Sequence, residues 1–193
     1  MWRSDEQLMS SCRDGDEAAF EVLYRRYEKP IHSFIYRIVV SAADAEDLCQ
    51  ETFFKVVQAK KTYQVSGKFK TWLFRIALNL CRDRIRRMKF RSHESLDGPV
   101  LSQEGQDVQP RKGMCDPSSD PAKRAETEEM KALVQKAFAT LPDNQRTVIV
   151  LKEYHALTFS EIAEIMKCPI GTAKSLNYRG HQRLLNILSG YID

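Results

Sequence analysis

The stretch from residue 92 to residue 122 divides this sequence and limits the folds open to it. It holds three of the chain's eight glycines and four of its seven prolines: Gly98, Pro99, Gly105, Pro110, Gly113, Pro117 and Pro121. Proline lacks an amide proton and has a fixed φ, and glycine loses the most backbone entropy in a regular element, so helices and strands both stop here. A structureless run of about 30 residues is unusual inside one compact domain. The sequence therefore reads as two small domains, residues 4–91 and 123–190, joined by a flexible linker over 92–122.

Both flanking segments show helical spacing. In the first, Leu8, Phe20, Leu23, Tyr24 and Tyr27 include steps of three and four, as one helix face requires. Pro30 can begin a second helix, striped by Ile31, Phe34, Ile35 and Ile38. Ser41 or Asp44 can cap a third, running to about Ala59 with Ala45, Leu48, Phe53, Val56 and Val57 as its apolar members. Lys60 to Phe69 is polar, contains Gly67 and reads as a loop. A fourth helix from about Lys70 to Lys89 carries Trp72, Leu73, Ile76, Ala77, Leu80 and Ile85. Beyond the linker, Met130, Leu133, Ala137, Phe138 and Leu141 form a stripe that Pro142 ends, and Asp143 starts a helix with Val148, Ile149, Leu151 and Tyr154. No strand–turn–strand alternation and no internal repeat is present, so the expected class is all-α.

Residues 158–188 read as a helix-turn-helix. Thr158 and Glu161 have capping-box spacing, in which each side chain satisfies the other residue's amide. Ile162, Ala163 and Met166 face inward on the short helix that follows, and Pro169 is expected to stop it. Gly171 and Thr172 can open the second helix, with Thr172 as its cap. One face of that helix is Ala173, Asn177, Gly180, Leu184 and Leu188; the other shows Lys174, Ser175, Tyr178, Arg179 and Gln182. Lys and Arg there suit phosphates or guanine edges, and Ser and Tyr suit phosphates or bases. A plain αα-hairpin has the same outline.

Charge is distributed unevenly. Residues 67–91 carry nine cations (Lys68, Lys70, Arg75, Arg82, Arg84, Arg86, Arg87, Lys89 and Arg91) against Asp83 alone, whereas 92–122 carry six acids against Arg111 and Lys112. The basic block suits a polyanion; a solvated helix face has the same composition. The five cysteines, Cys12, Cys49, Cys81, Cys115 and Cys168, are odd in number and form no C-x-x-C, so neither a disulfide framework nor a zinc site is expected. His32, His93, His155 and His181 stand at no metal-ligand spacing to them. No metal and no cofactor is expected. No run of 18 apolar residues occurs and the first residues form no apolar signal region, so membrane insertion is not expected and the cytoplasm is the expected location.

Read in order, these segments resemble the extracytoplasmic-function (ECF) sigma factors of bacterial RNA polymerase. The resemblance covers about residues 4–91 and 123–188. Gly15–Phe20 with Leu23–Tyr27 is similar to that family's opening helix, and Asp44–Phe53 to its polymerase-binding helix. Phe69–Asn79 with Asp83–Arg87 is similar to its promoter-melting segment. Leu141–Arg146, Glu161–Ala163 and Gly171–Ser175 are similar to its C-terminal domain.

The resemblance implies roles. Asp44, Asp47, Leu48, Gln50, Glu51, Phe53 and Lys55 would bind a coiled coil in the largest subunit of core polymerase, Leu48 and Phe53 as apolar anchors. Ala59 and Tyr63 would lie where a base extruded from the −10 element packs, beside Trp72 and Asn79. Lys68, Lys70, Arg75, Arg82, Arg84, Arg86 and Arg87 would grip DNA there, with strong salt dependence. Phe74 is expected in the core. Thr172, Lys174, Ser175, Tyr178 and Arg179 would contact the −35 element, the C-terminal domain would meet the polymerase flap, and an anti-sigma factor would be a further partner. Leu176, Asn177 and Gly180–His181 depart from the family's pattern, and a helical Gly costs about 1 kcal/mol relative to Ala. Two other classes share parts of this sequence: a stand-alone helix-turn-helix regulator, and a nuclease using Asp44, Asp47 and Glu51, which share a helix face. The chain has no P-loop and no H-E-x-x-H, and no enzymatic activity is expected.

Overall fold

The computed structural model describes residues 3–63, 68–94, 133–134 and 136–189. Most of the expected linker lies outside them. All regular structure among the described residues is helical.

Helix α1 (Asp5–Arg13) is opened by a Ser4–Gln7 capping box. Gly15, at φ +102°, turns the chain, and the Asp16 carboxylate accepts from the amide of Ala19 to start α2 (Glu17–Val39). Pro30 does not begin a helix: it lies inside α2. Leu23, Tyr27, Ile31, Phe34, Ile35 and Ile38 make one stripe that runs past it, all buried. Burying an aliphatic or Phe side chain stabilises by about 1.5–3 kcal/mol, so this stripe outweighs the roughly 3 kcal/mol cost of an interior proline. Val40, left-handed at φ +56°, ends α2. Ser41, not Asp44, caps α3 (Ala42–Ala59). A 3-10 turn (Lys60–Thr62) precedes α4 (Phe69–Glu94). The Glu6 carboxylate accepts from the amide of Phe69 at 3.3 Å, placing an acid at the positive end of α4.

The second domain follows with helical residues 136–139, α5 (Asp143–Ile149), a π turn (Val150–Tyr154), α6 (Phe159–Met166) and α7 (Ile170–Ser189). The Thr158–Glu161 capping box is present. Helix α6 ends at left-handed Lys167, before Pro169 is reached. Helix α7 begins at Ile170, with the amides of Thr172 and Ala173 donating to the Pro169 carbonyl. Thr172 is therefore inside the helix and exposed, not its cap. Gly180 has a packing reason: a Cβ there would stand 2.6 Å from Ile149 Cδ1. The glycine lets α7 approach α5 closely.

The two domains share a core. Val148, Val150, Leu151, Leu157 and Ile162 belong to the same buried cluster as Phe34, Phe69 and Phe74, while Ala137, Leu141, Ile149 and Leu184 form a smaller one. The His155 ring lies against Phe34 and Phe74, at centroid distances of 5.8 and 4.8 Å. Buried Arg146 donates to the carbonyls of Phe138, Ala139 and Leu141 in its own domain and to Ile38 in the first, at 2.8–3.0 Å. Ile38 lies in the last turn of α2, whose carbonyls have no helical partner and carry the negative end of the dipole.

Candidate nucleic-acid interface

The loop beside α4 has an aromatic floor. Tyr63 packs on Trp72 at 5.0 Å and on Phe69 at 6.2 Å. Tyr63 is buried, so its ring is the floor and not an open stacking surface; burial first, then Glu6 and Asp5, push its hydroxyl up to about 12. Trp72 is half-buried and Ala59 partly exposed. Phe74 is fully buried, as expected. Residues 64–67 of the loop lie outside the described residues.

Trp72, Arg75, Asn79, Arg82 and Arg86 fall at i, i+3, i+7, i+10 and i+14, one outer face of α4. Two grooves flank it. One, about 460 Å³, brings Asn79, Arg84 and Arg87 to Asp47, Glu51 and Lys55 of α3. The other, about 660 Å³, lies between Arg82, Arg86 and Lys89 and residues Pro142, Asp143, Asn144 and Thr147 of the second domain.

Many of the block's cations have protein partners. Lys68 pairs with Glu161 at 2.8 Å, Lys70 donates to the His155 carbonyl at 2.9 Å, Arg86 meets Asp83 at 3.0 Å and Lys89 meets Asp143 at 3.0 Å. Arg84 grips Asp44 through Nε at 2.9 Å and through Nη2. That pair changes two expectations together. Asp44 is turned inward onto α4, so it is not an open polymerase contact, and Arg84 is committed to α3 and not to a phosphate. The hydrogen bond to Asp44 raises the Arg84 pKa against a smaller desolvation effect.

Helix α3 also corrects its apolar anchors. Leu48 and Phe53 are buried, with Phe53 edge-on to Tyr24 at 4.8 Å. They hold α3 to the core and have no surface to offer a partner. The exposed face is Asp47, Gln50, Glu51 and Lys55 together with Phe54 and Val57. Phe54 is 62% exposed. The adjacent aromatics Phe53 and Phe54 could be told apart only by phase: Phe53 follows Ala45 and Cys49 by steps of four, and Phe54 follows Asp47 by seven.

In the second domain, Ala173, Gly180 and Leu184 are buried on the inner face of α7, with Asn177 half-buried. Thr172, Lys174, Tyr178 and Arg179 are exposed and Ser175 partly so. Leu176 packs partly against the core and does not join the outer face. Among the described residues no ion pair involves Lys174 or Arg179, and no group of His, Cys, Asp and Glu is arranged to hold a metal. Asp47 and Glu51 share a groove, but Asp44 is bound by Arg84. Among the same residues no helix is long and apolar enough to cross a membrane.

Known proteins match this arrangement. Sigma-70 region 2 matches residues 23–91, and Sigma-70 region 4 matches residues 131–184. The chain is 34% identical to the ECF RNA polymerase sigma factor SigW of Bacillus subtilis over 93% of this chain and 94% of that one. It is 30% identical to the RNA polymerase sigma-H factor of Pseudomonas aeruginosa over 93% and 91%. In fold it resembles the sigma factor RpoE in complex with the anti-sigma factor NepR from Bartonella quintana, with TM-score 0.66, 24% identity, and 88% of this chain and 96% of that one covered. With both halves matched in order and nearly the whole length aligned to these relatives, the chain belongs to the extracytoplasmic-function family of RNA polymerase sigma factors.

Proposed function

We propose that this sigma factor brings core polymerase to its promoters and opens the duplex with the outer face of α4. The observation that carries the reading is the alignment, on one helix face, of half-buried Trp72, exposed Asn79 and the cations Arg75, Arg82 and Arg86 beside an aromatic-floored loop. Extruding a base costs a few kcal/mol. Stacking against an aromatic contributes about 1–3 kcal/mol, and an amide side chain adds a donor and an acceptor to a base edge. Lys68, Lys70, Arg82, Arg86 and Arg87 hold the phosphates, which gives the steep salt dependence of a polyanion contact.

The residues divide between the two matched regions. Residues 4–91 bind polymerase and the −10 element, and residues 123–190 read the −35 element through Lys174, Ser175, Tyr178 and Arg179. The α3 face of Asp47, Gln50, Glu51 and Lys55 meets the coiled coil of the largest subunit, with exposed Phe54 as the apolar centre that buried Phe53 does not supply. The second domain meets the flap. Polymerase performs the chemistry and the sigma factor has no catalysis of its own, so its place of action is the cytoplasm. RpoE of similar fold is bound to an anti-sigma factor, and an anti-sigma factor is proposed as a partner here. Run-off transcription with core polymerase tests the reading: specific initiation is expected with the wild-type chain, and about a tenfold or greater loss with Asn79→Ala. Initiation from the same promoter by core polymerase alone overturns it.

A further inference from the structure

Helix α1 has no part in the function proposed above, and it precedes residues 23–91, which Sigma-70 region 2 matches. Two neighbouring acids tie it to the aromatic floor beside α4. Glu6 Oε1 accepts from the amide of Phe69, the first residue of α4, at 3.3 Å. The first amides of a helix have no partner inside it. Lys68, just before α4, has no side-chain acceptor to cap them. The buried Thr71 hydroxyl in the first turn makes no hydrogen bond at all. Glu6 therefore acts as a cap supplied by another helix. Burial raises its pKa, but hydrogen bonds from its own amide, the Phe69 amide and Ser4, with the charge of Lys68, outweigh that and hold it below the ordinary carboxylate value. Asp5, next in sequence, accepts from the Tyr27 hydroxyl and from Arg26 of α2. The Tyr27 ring meets Phe69 edge-on at 5.5 Å, and Phe69 lies 6.0 Å from Trp72 and 6.2 Å from Tyr63. Helix α1 thus holds the floor from two sides. Phe69 and Trp72 are three residues apart on one helix face, so a shift in the first turn of α4 would carry both rings.

We propose that Asp5 and Glu6 are positioning residues for base capture: they hold the first turn of α4 and the Tyr63, Phe69 and Trp72 rings in the geometry that accepts an unpaired base, without touching the base. The inference rests on the role given to Trp72 and Asn79 above. It separates two properties of α4. Arg82, Arg86 and Arg87 lie more than three turns beyond Phe69, so their phosphate contacts do not depend on α1. Loosening α1 removes discrimination of the base and leaves the salt-dependent attraction to the strand in place.

Abasic substitution reads the base contact by itself. Single-stranded −10 oligodeoxynucleotides, each with one abasic site, are titrated with holoenzyme made from core polymerase and the full chain. The wild type is expected to lose about tenfold in affinity at one position, as the removal of one stacked base implies. With Glu6→Ala that loss should shrink to about twofold or less, with the salt slope unchanged. Glu6→Gln keeps an amide oxygen for Phe69 and should retain the tenfold loss. A second readout uses the free chain. With Trp2→Phe, Trp72 is the remaining tryptophan. Its quenching by acrylamide should rise about twofold in Glu6→Ala, at unchanged helicity by circular dichroism, and stay at the wild-type level in Glu6→Gln. Asp5→Asn weakens the hold on Tyr27 and leaves the Phe69 amide served; a smaller change of the same sign is expected, and this variant carries the test if Glu6→Ala does not fold. An undiminished abasic loss in folded Glu6→Ala, a Glu6→Gln that behaves as Glu6→Ala, or an Asp5→Asn that behaves as the wild type would overturn the positioning role. The role of α4 is tested separately in the same titration: a wild-type holoenzyme indifferent to every abasic site rejects base capture itself, whereas a tenfold wild-type loss that persists in Glu6→Ala rejects only the part given to α1.

Discussion

Helices α4 and α7 both offer cations to DNA, and they stand in opposite states. Lys68, Lys70, Arg84, Arg86 and Lys89 of the first block all have protein partners. Lys174 and Arg179 of α7 stand exposed with no ion pair among the described residues. A helix such as α7, carrying its charge on an open outer face, can meet DNA as a rigid body. A helix whose cations are held elsewhere must first exchange partners, and for Lys68, Lys70 and Lys89 those partners belong to the second domain. In the proposed function, duplex reading would thus depend on α7 alone, whereas strand opening by α4 would depend on the arrangement.

The largest expected effect falls on that arrangement. Arg146→Ala would leave four carbonyls short of a donor, the bonds to Ile38 and Leu141 among them buried, and break the link to Ile38; a loss of about 3 kcal/mol or more is expected, read as a lowered thermal midpoint. Gly180→Val acts on the other helix. Its added carbons drive into Ile149, and a loss of about 2 kcal/mol is expected, with weaker duplex binding and unchanged binding of single strands. Lys174→Ala/Arg179→Ala should cost about tenfold in holoenzyme affinity for duplex bearing the −35 element, without altering the melting temperature of the protein. Salt dependence should become shallower in the same titration, by about 0.9 in log–log slope for each phosphate left without its cation.

The smallest effect is a pH slope. Burial, then Lys70 and Arg37, push His155 down to about 4 from its ordinary value near 6.5. Between those values the unfolded chain binds a proton that the folded chain does not, so stability rises with pH from about 4 to 6.5 and is flat above. Glu161 titrates lower. Burial raises its pKa, but hydrogen bonds from Lys68 and Thr158 outweigh that and hold it at about 2, so its contribution fades as pH falls from about 4.5 toward 2. Melting curves of His155→Phe from pH 5 to 7 should lack the slope that the wild-type chain shows.

Much of the fold is legible in the sequence because helical period survives in one dimension. The stripes at Ile31–Ile38 and Ala45–Val56, the Ser41 cap and the Thr158–Glu161 box are all local signals. The misreadings fall where tertiary packing overrules a local rule. Pro30 reads as a helix start, yet the stripe on both sides of it is buried against one core. Thr172 reads as a cap, yet its own amide and that of Ala173 already donate to the Pro169 carbonyl, which puts it inside α7. Leu48 and Phe53 read as anchors for a partner, although their phase matches Ala45, a core position. The partners of Asp44 and Lys68 lie 40 and 93 residues away, and the Ile38 carbonyl lies 108 residues from Arg146; no spacing rule reaches that far.

In the proposed function α4, delivered by polymerase, holds promoter DNA open. Permanganate reactivity of promoter thymines measures open strands directly, in holoenzymes made with the wild-type chain or with Arg82→Ala/Arg86→Ala/Arg87→Ala, which leaves the Arg84–Asp44 pair in place. Strong reactivity around the −10 element is expected with wild type, and about a hundredfold slower opening with the variant while core binding is retained. Equal reactivity in both holoenzymes would contradict the account.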